Sequence, residues 1–256
     1  MGLGDVPRVL WRGLLAFLRD CPRHGLCGIL VFLPLFGVTY VFEYQIVRAY
    51  LSHPVLVGIS VACVVGAAVV LFVGAIAKVA TERFDGDTPE IVDLIEAMII
   101  RPFTRAVLAL LVVVLTFGLL IAVRLSFGDS EQGVMPFVVG SVLLLAACVL
   151  AVLTTVVILE GTGPWRTICR LGALMRGRVW FTLLSLIASA VLAQVIYTAF
   201  EFVYFGAMGS LIEGWDRVII ALITLSPAAS MGAAIVHRLR EIEASRSHQA
   251  LADHFD

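Results

Sequence analysis

The residues with chemical potential in this chain are arginines and buried hydroxyls rather than nucleophiles. Arg166, Arg170, Arg176 and Arg178 crowd one short segment. Guanidinium groups at that density recognise phosphate and carboxylate, so the segment is a candidate contact for anionic lipid headgroups or for a protein partner. Thr154, Gln194 and Ser226 are uncharged polar residues set inside long apolar runs, with Thr155 and Thr224 nearby. They are candidates for an intramembrane polar path. Close helix packing and kinking account for the same residues, since Ser226-Pro227 falls near the middle of its run, where a freed carbonyl could bind an ion or relieve a bend.

Enzyme signatures are missing. The sequence has no GxSxG, P-loop, HExxH or dinucleotide-binding fingerprint. Five histidines, at positions 24, 53, 237, 248 and 254, fall in predicted loops or the tail. The five cysteines form neither a CxxC pair nor a Cys/His cluster with metal spacing, and they read as small buried apolar residues. The expectation is a non-enzymatic chain with no catalytic residue, cofactor or metal.

The solvent that such residues meet follows from composition. Of 256 residues, 61% are hydrophobic and 14% charged, with a mean hydropathy of +1.03. Soluble domains hold about 45–50% apolar and about 25% charged residues, so lipid must cover much of this surface. A net charge of −1 excludes a nucleic-acid binder. A bilayer core of about 30 Å takes roughly 20 apolar residues of helix. Six stretches are long enough, at about 26–42, 55–77, 106–123, 134–159, 179–200 and 218–236. The predicted class is therefore all-α: a single six-span domain over residues 1–236, followed by a polar tail, 237–256.

Charge orients it. Arg8, Arg12, Arg19 and Arg23 precede the first span; Lys78, Arg83, Arg101 and Arg105 follow the second. The four arginines of the 166–178 segment follow the fourth, and Arg238, Arg240 and Arg246 follow the sixth. Only Arg48, Arg124 and Arg217 fall on the other side. The positive-inside rule then places both termini in the cytoplasm. Glu43, Arg124 and Glu201 mark outer span ends, Lys78 and Glu160 inner ones. Each is able to reach water by extending its side chain.

The basic segments read as short amphipathic helices on the cytoplasmic surface, each beginning near a proline. The first starts at Pro7, with Val9 or Leu10, Leu14, and Phe17 or Leu18 on its apolar face. The second starts at Thr88-Pro89, with Ile91, Leu94, Ile95 and Met98 opposite Glu90 and Asp93. The third starts at Gly163-Pro164, with Trp165, Ile168, Leu171, Leu174 and Met175 against its arginines. Two spans follow each, so the plan is three parallel units of surface helix plus hairpin. These helices act as elbows that set depth, as a ring for headgroups or a partner, or as packing against the bundle. In the second span Gly58, Ala62, Gly66, Ala67 and Gly74 predict close helix approach.

Glu160-Gly-Thr-Gly-Pro-Trp-Arg-Thr-Ile-Cys-Arg-Leu-Gly-Ala-Leu-Met-Arg-Gly-Arg-Val-Trp180 resembles the segment after the fourth span in a prokaryotic six-span family known only as a domain of unknown function. It is similar also to that of the YciC-like proteins and of the membrane domain fused to some glycerophosphodiester phosphodiesterases. Phe32-Leu-Pro-Leu35 resembles that family's proline-containing first span, and Glu82-Arg-Phe-Asp-Gly-Asp-Thr-Pro-Glu90 its glycine-containing turn. Leu171-Gly172 departs from it, standing where the family has a serine. The resemblance implies a six-helix protein of a prokaryotic cytoplasmic membrane, without an assigned activity, cofactor or catalytic residue. Gly163-Pro-Trp-Arg-Thr is similar, too, to the coupling loop of ABC-transporter permeases, whose Glu-Ala-Ala start and closing Leu-Pro are missing. Two functions stay open: a membrane organiser, lipid-associated protein or accessory subunit, with a protein partner or a second copy as possible company; or a transporter, permease subunit or lipid translocator.

Overall fold

The computed structural model describes residues 3–90, 92, 95, 96, 99–127, 135–208 and 215–255, and the side chains of Glu43, Cys63, Arg124, Glu201 and Arg217 fall outside that description. Ile91, Asp93, Leu94 and Met98 of the expected second surface helix lie outside it as well. After a 3-10 turn at Leu3–Asp5 come α1 (Val6–Arg19), α2 (Cys21–Val41), α3 (Glu43–Ser52) and α4 (Pro54–Asp85). Then follow α5 (Pro102–Phe127), α6 (Met135–Glu160), α7 (Pro164–Met175), α8 (Val179–Met208) and α9 (Trp215–Phe255). Among the described residues there is no strand.

Local sequence accounts for the boundaries. Helices α1, α2, α4, α5 and α7 carry a proline in the first turn, where its missing N–H removes nothing. Gly86, at φ +93°, closes α4 in the left-handed conformation that a side chain would strain. The six apolar segments fall on α2, α4, α5, α6, α8 and α9. Three windows, Pro102–Ala122, Val138–Glu160 and Val179–Phe200, are long and apolar enough to cross a membrane, and Cys21–Leu35 is a shorter apolar helix.

Helices α6 and α9 form the centre. Cys148, Val152 and Val156 meet Ala228, Met231 and Ile235 across their seam. A Cβ on Gly232 would lie 2.7 Å from the Ala151 Cβ and 3.2 Å from the Cys148 carbonyl oxygen, so the two backbones approach as closely as glycine permits. Helix α4 packs on this pair through Phe72, Val73 and Ile76. Helix α5 packs on α6 through Leu108 and Val112 against Leu153 and Val157.

Helix α1 is seated on α9 through a face that shares only Val9 with the predicted one. Val9, Gly13 and Ala16 are its buried residues. A Cβ on Gly13 would stand 2.7 Å from the Met231 Cα. Leu10, Leu14 and Phe17 are half-buried and Leu18 is exposed. Bulk mattered less than closeness, because small residues let the two helices touch. By contrast Gly66, on the predicted small-residue face of α4, has open space around it.

Two further differences concern polar segments. The predicted outer loop after the first span contains α3, which leaves Tyr44, Val47, Tyr50 and Leu51 exposed. The tail does not separate at residue 237. Helix α9 runs unbroken for 41 residues through Pro227, about 60 Å at 1.5 Å per residue, and Leu239 and Ile242 are buried in the bundle.

Candidate functional site

The ends of α4 and α6, the whole of α1 and α7, and α9 from His237 to Glu243 meet at one charged end of the bundle. At its base is Asp20, in the elbow between α1 and α2 and 1% exposed. Arg83 donates to it from Nε at 2.9 Å and Nη2 at 2.7 Å, and Arg23 donates to it as well. Burial alone would raise the Asp20 carboxyl; the Arg83 and Arg23 guanidinium groups outweigh burial and hold it below its ordinary range.

Arg170 forms the second knot. Its Nε donates to both oxygens of Glu160, at 2.8 and 3.0 Å, while Nη1 and Nη2 each reach Glu243 at 2.6 Å. One guanidinium thus ties α6, α7 and α9, through a two-nitrogen fork to Glu243 and a shared Nε–H to Glu160. Those hydrogen bonds push Arg170 further up and hold the Glu243 carboxyl down.

A third group centres on Glu241, which accepts from Arg12 at 2.8 Å and from Arg238 at 2.9 Å. Burial pulls its carboxyl up and the two arginines more than offset that. Arg12 also lies over the Phe84 ring, 5.1 Å from its centroid. His237 sits between Asp85, 3.1 Å from Nε2, and Glu241, 3.2 Å from Nδ1. A cleft of about 190 Å³ opens between α1 and α9, with Val9 and Ala234 as floor and Asp5, Arg12, Arg238 and Glu241 as walls. No group of three or more His, Cys, Asp or Glu residues able to hold a metal occurs among the described residues.

The four arginines predicted as one contact divide into two pairs. A helical step of 100° turns Thr167, Arg170 and Leu174 inward and Trp165, Arg166 and Cys169 outward. Arg166 and Arg176 are exposed, while Arg178 is buried and donates to the Leu239 carbonyl at 3.5 Å. The predicted apolar face divides as well. Leu174 is buried and Leu171 and Met175 half-buried, whereas Trp165 and Ile168 face outward.

No family model, curated protein or solved structure matches this chain.

Thr154, Gln194 and Ser226 are all buried, as are Thr155 and Thr224. The structure does not gather the first two. Thr154 stands beside Gly74 and Arg105. Gln194 lies against Gly140 of α6, fourteen residues and so about 21 Å up that helix from Thr154. None of these three residues lines the cleft between α1 and α9.

Two residues at this end differ from the sequence expectation, and a third, Asp20, was passed over. Arg105, counted among the loop cations, is fully buried, with its guanidinium over Gly74 where a Cβ would stand 2.0 Å from Nη1. His24, expected in a loop, lies in α2, 3% exposed and stacked on Phe17 at 5.6 Å between ring centroids, with no hydrogen-bond partner on either nitrogen among the described residues. Burial pushes its imidazole down to about 4. Asp20 carried a legible signal, being the only acid between Asp5 and Glu43 and standing between Arg19 and Arg23.

Proposed function

We propose that this chain is a six-span protein of a prokaryotic cytoplasmic membrane, with its charged end and both termini in the cytoplasm. It acts without catalysis, as a lipid-associated organiser or accessory subunit built from three helix-plus-hairpin units. Membrane residence is supported by α8. Trp180, Leu184, Ile187, Val191, Val195 and Phe202 are exposed along one stripe of that helix. From Trp180 to Phe202 is 22 residues, about 33 Å, which matches a hydrocarbon core of about 30 Å with an aromatic residue at each boundary. The cytoplasmic side is supported by the basic segments that meet at one end. A non-catalytic role is supported by the acids of that end, which are tied mainly to arginines rather than poised as an acid–base pair.

The observation that carries the functional reading is the outward side of α7 and of the turn after it, where Arg166 stands next to Trp165 and Arg176 is exposed, while Arg170 is turned inward to Glu160 and Glu243. Native mass spectrometry of the protein extracted with its surrounding lipid tests it. An enriched anionic lipid class, or a protein at fixed stoichiometry, is the expected result; a bare chain with random lipid would count against it. Reporters fused after Asp129 and after Arg176 test the orientation, and an outside signal from the second would reverse it.

A translocator is the second reading, and the buried Arg105 beside Thr154 favours it, because an ionisable group inside a bundle marks ion and substrate paths. Flux in vesicles that is abolished by Arg105→Gln, with insertion intact, would support it over the first.

A further inference from the structure

We infer that the charged end carries a girdle for anionic phospholipid, held by Arg19, Arg101, Arg166 and Arg176. This deepens the reading above and rests on it. The other cations of that end are engaged within the chain. Arg8, Arg12, Arg23, Lys78, Arg83, Arg170 and Arg238 each form an ion pair with an acid of this chain. Arg105 and Arg178 are buried, and Arg240 stands near Glu243. The four girdle arginines are exposed, and no acid pairs with them among the described residues.

Each of the four also has a large exposed apolar side chain close by in sequence. Arg19 follows Leu18, 56% exposed, and Arg101 precedes Phe103, 76% exposed. Arg166 is next to Trp165 and Arg176 is four residues before Trp180, at 74% and 77% exposed. An unpaired guanidinium near uncovered apolar surface asks for a partner that is anionic at one level and apolar at the next. A phospholipid leaflet is that partner.

The distribution decides between a leaflet and an acidic protein. Helix α1 packs on α9, α8 and α4, while α5, which Arg101 precedes, packs on α6, α4 and α7. The free arginines therefore stand on separate sides of the bundle. A docked protein would cover one side; lipid surrounds all of them.

The test uses the full chain reconstituted in phosphatidylcholine vesicles doped with phosphatidylglycerol, with spin-labelled lipids reporting which headgroup stays at the protein boundary. Wild type should prefer phosphatidylglycerol, and the preference should weaken at high salt. The pairs Arg166→Gln/Arg176→Gln and Arg19→Gln/Arg101→Gln should each reduce it, by up to about five-fold per arginine at a contacting headgroup. Lysine at the same positions should restore it, and Arg48→Gln, at the opposite end, should leave it unchanged. A preference retained by both pairs, or lost equally in Arg48→Gln, would overturn the girdle, as would arginine-dependent capture of an acidic peptide without any lipid preference. Protease protection in the same vesicles separates the two readings. A chain that fails to insert defeats the membrane reading, and one that inserts without preference defeats the girdle alone.

Discussion

Asp20→Asn should destabilise the bundle by about 2–3 kcal/mol. The carboxylate is 1% exposed and accepts two hydrogen bonds from Arg83 and another from Arg23. A hydrogen bond to a charged group contributes about 1.5–3 kcal/mol, and removing one member of a buried pair costs about 3–5. The lower end applies here, because the Arg83 side chain is 26% exposed and regains water once its partner is gone. The assay is unfolding in detergent micelles of wild type, Asp20→Asn, Arg83→Gln and the double variant. A coupling energy of about 1.5–2 kcal/mol is expected from the cycle. The pH dependence has a definite sign. Since the folded Asp20 carboxyl lies below its unfolded value, its contribution is present above the ordinary carboxylate range and is lost as pH falls through the folded value. Asp20→Asn should remove that acid limb. A variant within about 0.5 kcal/mol of wild type, or a cycle with no coupling, would refute the assignment of Asp20 as the tie between the first elbow and α4.

Three more outcomes follow from the same geometry. His24→Phe should match or exceed wild-type stability at neutral pH, by up to about 1 kcal/mol, because neither imidazole nitrogen has a partner to lose. With a folded value of about 4 against about 6.5 unfolded, His24 makes stability fall as pH drops through that window, and the melting temperatures of His24→Phe should lack this slope. Gly13→Leu should overpack the α1–α9 contact and cost about 1–3 kcal/mol, read as new protease cleavage near Arg19 at temperatures where wild type resists. Arg170→Gln leaves Glu160 and Glu243 facing each other. After allowance for their partial exposure it should cost about 1–2 kcal/mol, and adding Glu243→Gln should recover part of the loss in the same melting assay.

Hydropathy made the helical class and the six apolar segments legible, because a run such as Val138–Glu160 is apolar on every side and can only be helix in lipid or core. Side-chain direction was less legible. In the 166–178 segment all four arginines look alike in sequence, and only the turn of α7 against Glu160 and Glu243 separates two anchors from two free groups. Arg105 looked like a loop cation because it precedes the third apolar run, yet Gly74 leaves a hollow on α4 that its guanidinium fills. Contact between α1 and α9 was invisible for a plain reason. Gly13 and Ala16 carry no apolar bulk, so a hydrophobic face drawn from large residues points elsewhere.

The seat of α1 on α9 has a consequence for how the chain is made. Arg12 and its partner Glu241 are 229 residues apart. At about 5–20 residues per second, the ribosome needs roughly 10 to 45 s to deliver the second after the first. During that interval α1, with its buried stripe uncovered, must wait while the intervening helices are made. Its docking is then the closing step of assembly, a clasp that fastens only once the last helix has emerged, and a chain that stalls before α9 is left marked by an unfastened amphipathic end.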